Sequence, residues 1–190
     1  MPNVASILDK PAVRRAALPI TVQQYHMLGR AGIIADNTEL LRGVIVEKMI
    51  KSPLHSWTVQ FLADWLRAAL GPGFVVRQEQ PLTLADSEPE PDIAVVAGTA
   101  DDFQSTHPSE ARLVMEVAIA TLELDREKAT VYAAVGIPEF WLVLPEHRSV
   151  EVHTSPGPSG YACMARYHEQ DVIPLSGFEN VTLELAKLFS

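Results

Sequence analysis

The sequence predicts an α/β domain built on a central mixed β-sheet flanked by helices, and three features carry that prediction. Two apolar runs, Leu113-Val114-Met115-Glu116-Val117-Ala118-Ile119-Ala120 and Phe140-Trp141-Leu142-Val143-Leu144, have the length and composition of strands buried on both faces. Between them lies a helical pattern from about Leu124 to Val135, and strand–helix–strand order implies a parallel pair joined by a crossover helix. From Ser52 to Leu70, the residues Leu54, Trp57, Phe61, Leu62, Trp65, Leu66 and Ala69 recur at helical spacing, so this helix should bury one face, with its tryptophans in the core.

The remaining elements follow in order. Residues 1–18 show no clean period and read as a loosely ordered leader, with residues 19–190 as one domain. Thr21 and Gln24 have capping-box spacing and start a short helix that ends near Gly32. Glu39 to Met49 reads as two short strands broken at Gly43, where glycine supplies the positive φ of a turn. Ser52-Pro53 pairs a capping hydroxyl with a proline at the first helical position, and Gly71-Pro72-Gly73 stops that helix. Strands are expected at about Phe74 to Gln80, Asp92 to Ala97 and Arg112 to Ala120. Gly136 and Pro138 end the crossover helix, and a last hairpin, Val150 to His153 and Tyr161 to Tyr167, turns at Pro156-Gly157-Pro158-Ser159-Gly160.

A chain of 190 residues with 47% hydrophobic residues can bury a core without disulfides, and the single cysteine, Cys163, forms no internal bridge. No run is long enough to span a bilayer, and Asp9, Lys10 and Pro11 interrupt any secretory signal, so the expected location is cytoplasmic, away from membranes. The net charge of −9 argues against holding nucleic acid by bulk electrostatics, so any such contact must be local. The six histidines show no HExxH or paired ligand spacing, and there is neither a phosphate-binding glycine loop nor a GxSxG elbow.

Glu116 interrupts an apolar strand, and a carboxylate there needs a partner. Pro91-Asp92-Ile93-Ala94-Val95-Val96 repeats the pattern, an acid at the head of a short apolar strand, and two acids on two core strands suggest a metal. Leu124, Lys128, Val131 and Val135 form one helical stripe, so Lys128 should face the sheet and either pair with a carboxylate or lose its proton. Each residue also has an ordinary role open to it. Asp92 could accept backbone hydrogen bonds at a strand entry, Glu116 and Lys128 could form a structural ion pair, and Lys128 could snorkel to solvent. His55 reads as a capping or surface histidine, and Glu39 and Glu79, each taken alone, as strand-end charges.

Asp92, Glu116 and Lys128 in this strand–strand–helix order resemble the PD-(D/E)xK nuclease superfamily, and the chain from about residue 18 to 189 resembles its Uma2 branch. The resemblance is carried by Glu39-Leu40-Leu41-Arg42-Gly43-Val44-Ile45-Val46-Glu47, Ser52-Pro53-Leu54-His55, Glu79-Gln80-Pro81-Leu82 ahead of Pro91-Asp92, and Glu116-Val117-Ala118. Asp125, Lys128, Tyr132 and Gly136-Ile137-Pro138-Glu139-Phe140-Trp141 complete it. The superfamily's tripeptide would place lysine at position 118; Ala118 stands there, and the lysine role passes to Lys128, as the Uma2 branch is known to allow.

The resemblance implies a restriction-endonuclease-like fold and metal-dependent hydrolysis of nucleic acid, with DNA the expected substrate. It makes Asp92, Glu116 and Lys128 the catalytic residues, with Asp92 and Glu116 holding Mg²⁺ (or Mn²⁺) and the Val117 carbonyl as a further ligand. Glu39 and Glu79 take accessory metal positions. A homodimer is expected, from the resemblance and from apolar segments around Phe178, Leu183 and Leu188. The second reading is a nuclease-fold binding or assembly module without turnover, favoured by the acidic net charge and by the stretch after Glu116, which is one residue shorter than is usual in the branch and has Ile119 where a small polar residue or aspartate is typical.

Overall fold

The computed structural model describes residues 10–119 and 122–190. Residues 1–9 of the expected leader, and Ala120 and Thr121 after the Glu116 strand, lie outside the described residues. The elements run α1 (Pro11–Ala16), α2 (Val22–Arg30), β1 (Thr38–Leu41), β2 (Val44–Glu47), α3 (Pro53–Ala69), β3 (Phe74–Gln78), β4 (Ile93–Ala97), β5 (Leu113–Val117) and α4 (Leu122–Ala134). They continue with β6 (Glu139–Leu144), β7 (Ser149–Gly157), β8 (Gly160–His168), β9 (Val172–Pro174), β10 (Thr182–Glu184) and α5 (Leu185–Leu188). Six strands form one mixed sheet in the order β3-β4-β5-β6-β7-β8. Only the β5–β6 pair in it is parallel, and α4 makes that crossover.

Local chemistry sets the element ends. Thr21 and Gln24 form the reciprocal capping box of α2. The Ser52 hydroxyl accepts from the His55 amide at 3.2 Å and Pro53 opens α3. Arg42 (φ 48) and Gly43 (φ 76) both take the left-handed conformation that a two-residue hairpin turn requires. A side chain at Gly43 would also bring its Cβ to 2.3 Å from that of Pro19, so only glycine fits there.

Alternation along the strands divides the core into two layers. Met115, Val117, Ile93, Val95 and Trp141 pack under α3 and the C-terminal segment, whereas Val114, Ala94, Phe140 and Leu142 pack under α4. Glu116 shares the Val114 face by this alternation, and that is the face covered by α4.

Three expectations are corrected. In α3 the buried stripe is Thr58, Val59, Leu62, Ala63 and Leu66; Leu54 and Trp57 are exposed, and Trp57 stacks on Phe61, which packs half-buried against the core. The apolar arc of this helix is wider than the sheet can cover, and spacing alone does not say which part of it is covered. Trp65 does reach inward, stacking on Trp141 at 6.0 Å between ring centroids. In α4 the buried positions are centred on Asp125, Lys128, Ala129 and Tyr132, and Val135 is exposed beyond the helix end. Finally, Leu183 and Leu188 are buried in the chain's own core, and Phe178 packs edge-on against Phe74. Those residues are therefore not a free surface for self-association, which leaves the family resemblance as its ground.

Candidate active site

The site forms where the start of β4, the end of β5, the first turns of α3 and α4 and the β1–β2 hairpin meet in one cleft. Asp92 immediately precedes β4 and Glu116 lies on β5, its antiparallel neighbour. The pairing brings them together: the Val117 amide donates to Asp92 Oδ2 at 2.8 Å, and the Asp92 amide points at Glu116 Oε2 at 3.4 Å.

From α4, Lys128 places Nζ 3.3 Å from Glu116 Oε1 and 2.8 Å from Glu39 Oε1, with Asp125 Oδ1 at 3.9 Å. One helical turn on, the Tyr132 hydroxyl donates to Glu116 Oε1 at 2.7 Å. Glu39, on β1, also accepts from the Glu90 amide at 3.1 Å. Lys128, Glu116, Glu39 and Tyr132 are all buried, so the lysine does not snorkel.

Burial and charge set the protonation of this group. Burial pushes the Glu116 carboxyl well above its ordinary value; Lys128 opposes that, while Asp92, Asp125 and Glu39 add to it. For Lys128, burial favours the neutral amine, but the Glu116 and Glu39 carboxylates outweigh it and raise the pKa, so the ammonium is retained. Burial, with Glu116 close by, likewise holds the Tyr132 phenol well above its usual range as a proton donor. Lys128 is consequently a fixed positive charge and not a proton acceptor.

Glu79 and His55 close the solvent side. Glu79, the residue just after β3, is in the left-handed region (φ 51), a conformation costing roughly 1–2 kcal/mol for a residue with a side chain. Its amide donates to the Asp92 carbonyl at 3.1 Å and its carboxylate meets Lys51 at 2.6 Å. His55 Nε2 lies 3.1 Å from Asp92 Oδ2, and its buried Nδ1 has no hydrogen-bond partner among the described residues. The ligand atoms of His55, Glu79 and Asp92 all lie within 4.8 Å of one another.

The structure thus brings Asp92, Glu116, Lys128 and Glu39 into direct or near contact, with Glu79 beside Asp92. His55 is the residue that sequence reasoning missed. Its helix-capping position was legible in Ser52-Pro53, but its side-chain direction was not.

The donor set suits a hard divalent cation. Glu39, Glu79, Glu90, Asp92, Glu116 and Asp125 line the cleft, and Lys48, Lys51 and Lys128 are the ammonium groups that oppose them. The excess negative charge and the protonation-prone Glu116 fit an oxygen-rich cation site.

The acidic cleft thus lies on a mixed sheet, between the ends of β4 and β5 and the crossover helix α4. A crystal structure described as "a putative nuclease belonging to DUF820" from Anabaena variabilis superposes with a TM-score of 0.74 over 90% of this chain and 98% of that one. At 17% identity that likeness concerns the fold. Residues 32–186 match the model of the Uma2 family, described as "Putative restriction endonuclease", and the chain belongs to that family. No curated protein matches the chain. Among the described residues, no helix is long and apolar enough to cross a membrane.

Proposed function

We propose that this protein is a divalent-metal-dependent endonuclease that hydrolyses phosphodiester bonds of nucleic acid, DNA in the first instance. The observation that carries the reading is the meeting, in one cleft, of Asp92 and Glu116 with the buried ammonium of Lys128. Family membership supports it.

Asp92 and Glu116 would hold Mg²⁺ or Mn²⁺, with Glu79 and Glu39 as accessory carboxylates and His55 orienting Asp92. When bound, such an ion supplies a more acidic water and neutralises charge gathering on phosphorus. Lys128 contributes a second positive charge, held by Glu39 and Glu116 before substrate arrives and therefore costing no reorganisation. Tyr132 keeps the Glu116 carboxylate oriented. Leu124 and Ile119 line the same cleft as its apolar part.

The test is cleavage of supercoiled plasmid and of single-stranded DNA in Mg²⁺ or Mn²⁺, with chelator and with Asp92→Asn as controls. Metal-dependent cleavage abolished in Asp92→Asn supports the assignment. A wild-type protein that binds metal and nucleic acid without cleaving either would instead be the binding or assembly module.

A further inference from the structure

The segment joining β2 to α3, residues 48–52, forms one wall of the acidic cleft through Lys48, Met49, Ile50, Lys51 and Ser52. Its apolar tip is turned to solvent: Ile50 is 99% exposed and Met49 57%. Single exposed apolar residues are ordinary, but two in sequence at the lip of a charged cleft are placed where a ligand must pass. The flanking lysines are already engaged, Lys48 with Glu90 at 2.7 Å and Lys51 with Glu79 at 2.6 Å.

Resting on the nuclease reading above, we infer that Met49 and Ile50 are a substrate-contacting wedge and that the substrate presents unpaired bases, as single-stranded or looped nucleic acid. A nucleotide chain offers apolar base faces beside its phosphates, and aliphatic side chains such as Ile and Met are used as wedges against bases in protein–DNA complexes. Magnitude decides between unpaired and duplex substrate. Unstacking one duplex step costs on the order of a few kcal/mol, which proteins that do so recover from extensive backbone contacts. This chain carries a net charge of −9, and both lysines at the wedge are neutralised by glutamates, so it has little electrostatic grip on a duplex with which to offset that cost. Unpaired bases reach Met49 and Ile50 without it.

Among the described residues, neither Met49 nor Ile50 supplies a partner to the ion pairs and hydrogen bond that join Glu39, Glu116, Lys128 and Tyr132. The test compares cleavage in Mn²⁺ of a single-stranded DNA oligonucleotide, the same sequence as RNA, and its DNA duplex by the wild-type protein and by Met49→Ser/Ile50→Ser. The wild type should cleave a single strand, of either sugar, on the order of tenfold more efficiently than the duplex. The double variant should raise KM for the single strand about fivefold or more, with Mn²⁺ binding and the melting temperature unchanged, and Ile50→Trp, which adds a stacking ring, should lower KM. Equal or better cleavage of duplex, or a wild-type KM in the double variant, would overturn the wedge while leaving the nuclease reading intact. A wild-type protein that binds Mn²⁺ and cleaves none of the three removes both.

Discussion

Glu39 Oε1 stands 2.8 Å from Lys128 Nζ with both side chains buried, so the β1–β2 hairpin and the crossover helix α4 are joined by one ion pair beneath the cleft. Removing one partner of a buried pair typically costs about 3–5 kcal/mol, because the other charge is left uncompensated. Lys128 therefore has a part in stability as well as its proposed part in chemistry, and the two must be separated. Lys128→Met keeps the stem that packs against the sheet. It should lower the urea midpoint, leave metal binding nearly intact, and reduce hydrolysis by on the order of 10²-fold under conditions where the variant is folded. Glu39→Gln breaks the same pair from the hairpin side and should cost similar stability with a much smaller loss of rate. Equal losses of rate in the two variants at saturating metal would reduce Lys128 to a structural cation.

Metal binding should be linked to pH through Glu116. Its pKa is raised by burial first and by Asp92, Asp125 and Glu39 after it. A raised carboxyl favours the fold below its unfolded pKa, about 4.3, and that contribution is lost as pH rises through the folded value. A divalent cation favours the ionised form, so the loss is offset when the ion binds. The rise in melting temperature produced by Mn²⁺ should thus be smaller below the folded value than above it, and binding below it should release protons, read calorimetrically in buffers of different ionisation enthalpy. A pH-independent Mn²⁺ effect would mean that Glu116 is not among the groups that meet the ion.

The parts of this site legible in the sequence are those set by short-range pattern. Glu116 declared itself by breaking an apolar run, Lys128 by its place on a helical stripe, and Asp92 by heading a second apolar strand. Their meeting follows from strand pairing and from a crossover of fixed hand. What was not legible depends on long-range packing. His55 contacts a residue 37 positions away, and nothing in Ser52-Pro53-Leu54-His55 fixes the rotation of α3 on the sheet. The same undetermined rotation exposes Trp57 and covers Thr58 and Val59. Glu39 meets Lys128 because the hairpin folds across α4, a docking that no local period encodes.

The role of His55 can be separated from that of a ligand. Its Nε2 and the Val117 amide both fall on Asp92 Oδ2, so in the proposed reading Oδ1 would be the oxygen offered to a cation and His55 would hold that carboxylate in place. Loss of such an orienting partner typically costs about 10–100-fold in metal affinity. His55→Ala should weaken Mg²⁺ and Mn²⁺ alike. A selective loss of Mn²⁺, the ion with the greater taste for imidazole, would instead make His55 a direct ligand.

Away from the cleft, β7 carries a second charged cluster that should govern acid stability. Arg126 on α4 meets buried Glu151 Oε1 at 2.9 Å, Arg166 on β8 meets the same oxygen, and His153 Nε2 lies 3.5 Å from Oε2. Burial alone would raise the Glu151 carboxyl, but hydrogen bonds from Arg126 and Arg166 outweigh it and hold the pKa below the ordinary value. Burial lowers His153 more than Glu151 restores it. Both folded pKa values are depressed, so both contributions are complete above the unfolded values. They fade as pH falls, first below about 6.5 for the histidine and then below about 4.3 for the glutamate. The arginines are about half exposed, so solvent screening makes the glutamate limb modest. Urea midpoints measured from near pH 8 down to near pH 4 should fall more gently in His153→Gln and in Glu151→Gln than in the wild type. The comparison with wild type is needed because Glu116 contributes a slope of opposite sign. Parallel profiles for all three proteins would show that this cluster is not what limits the fold in acid.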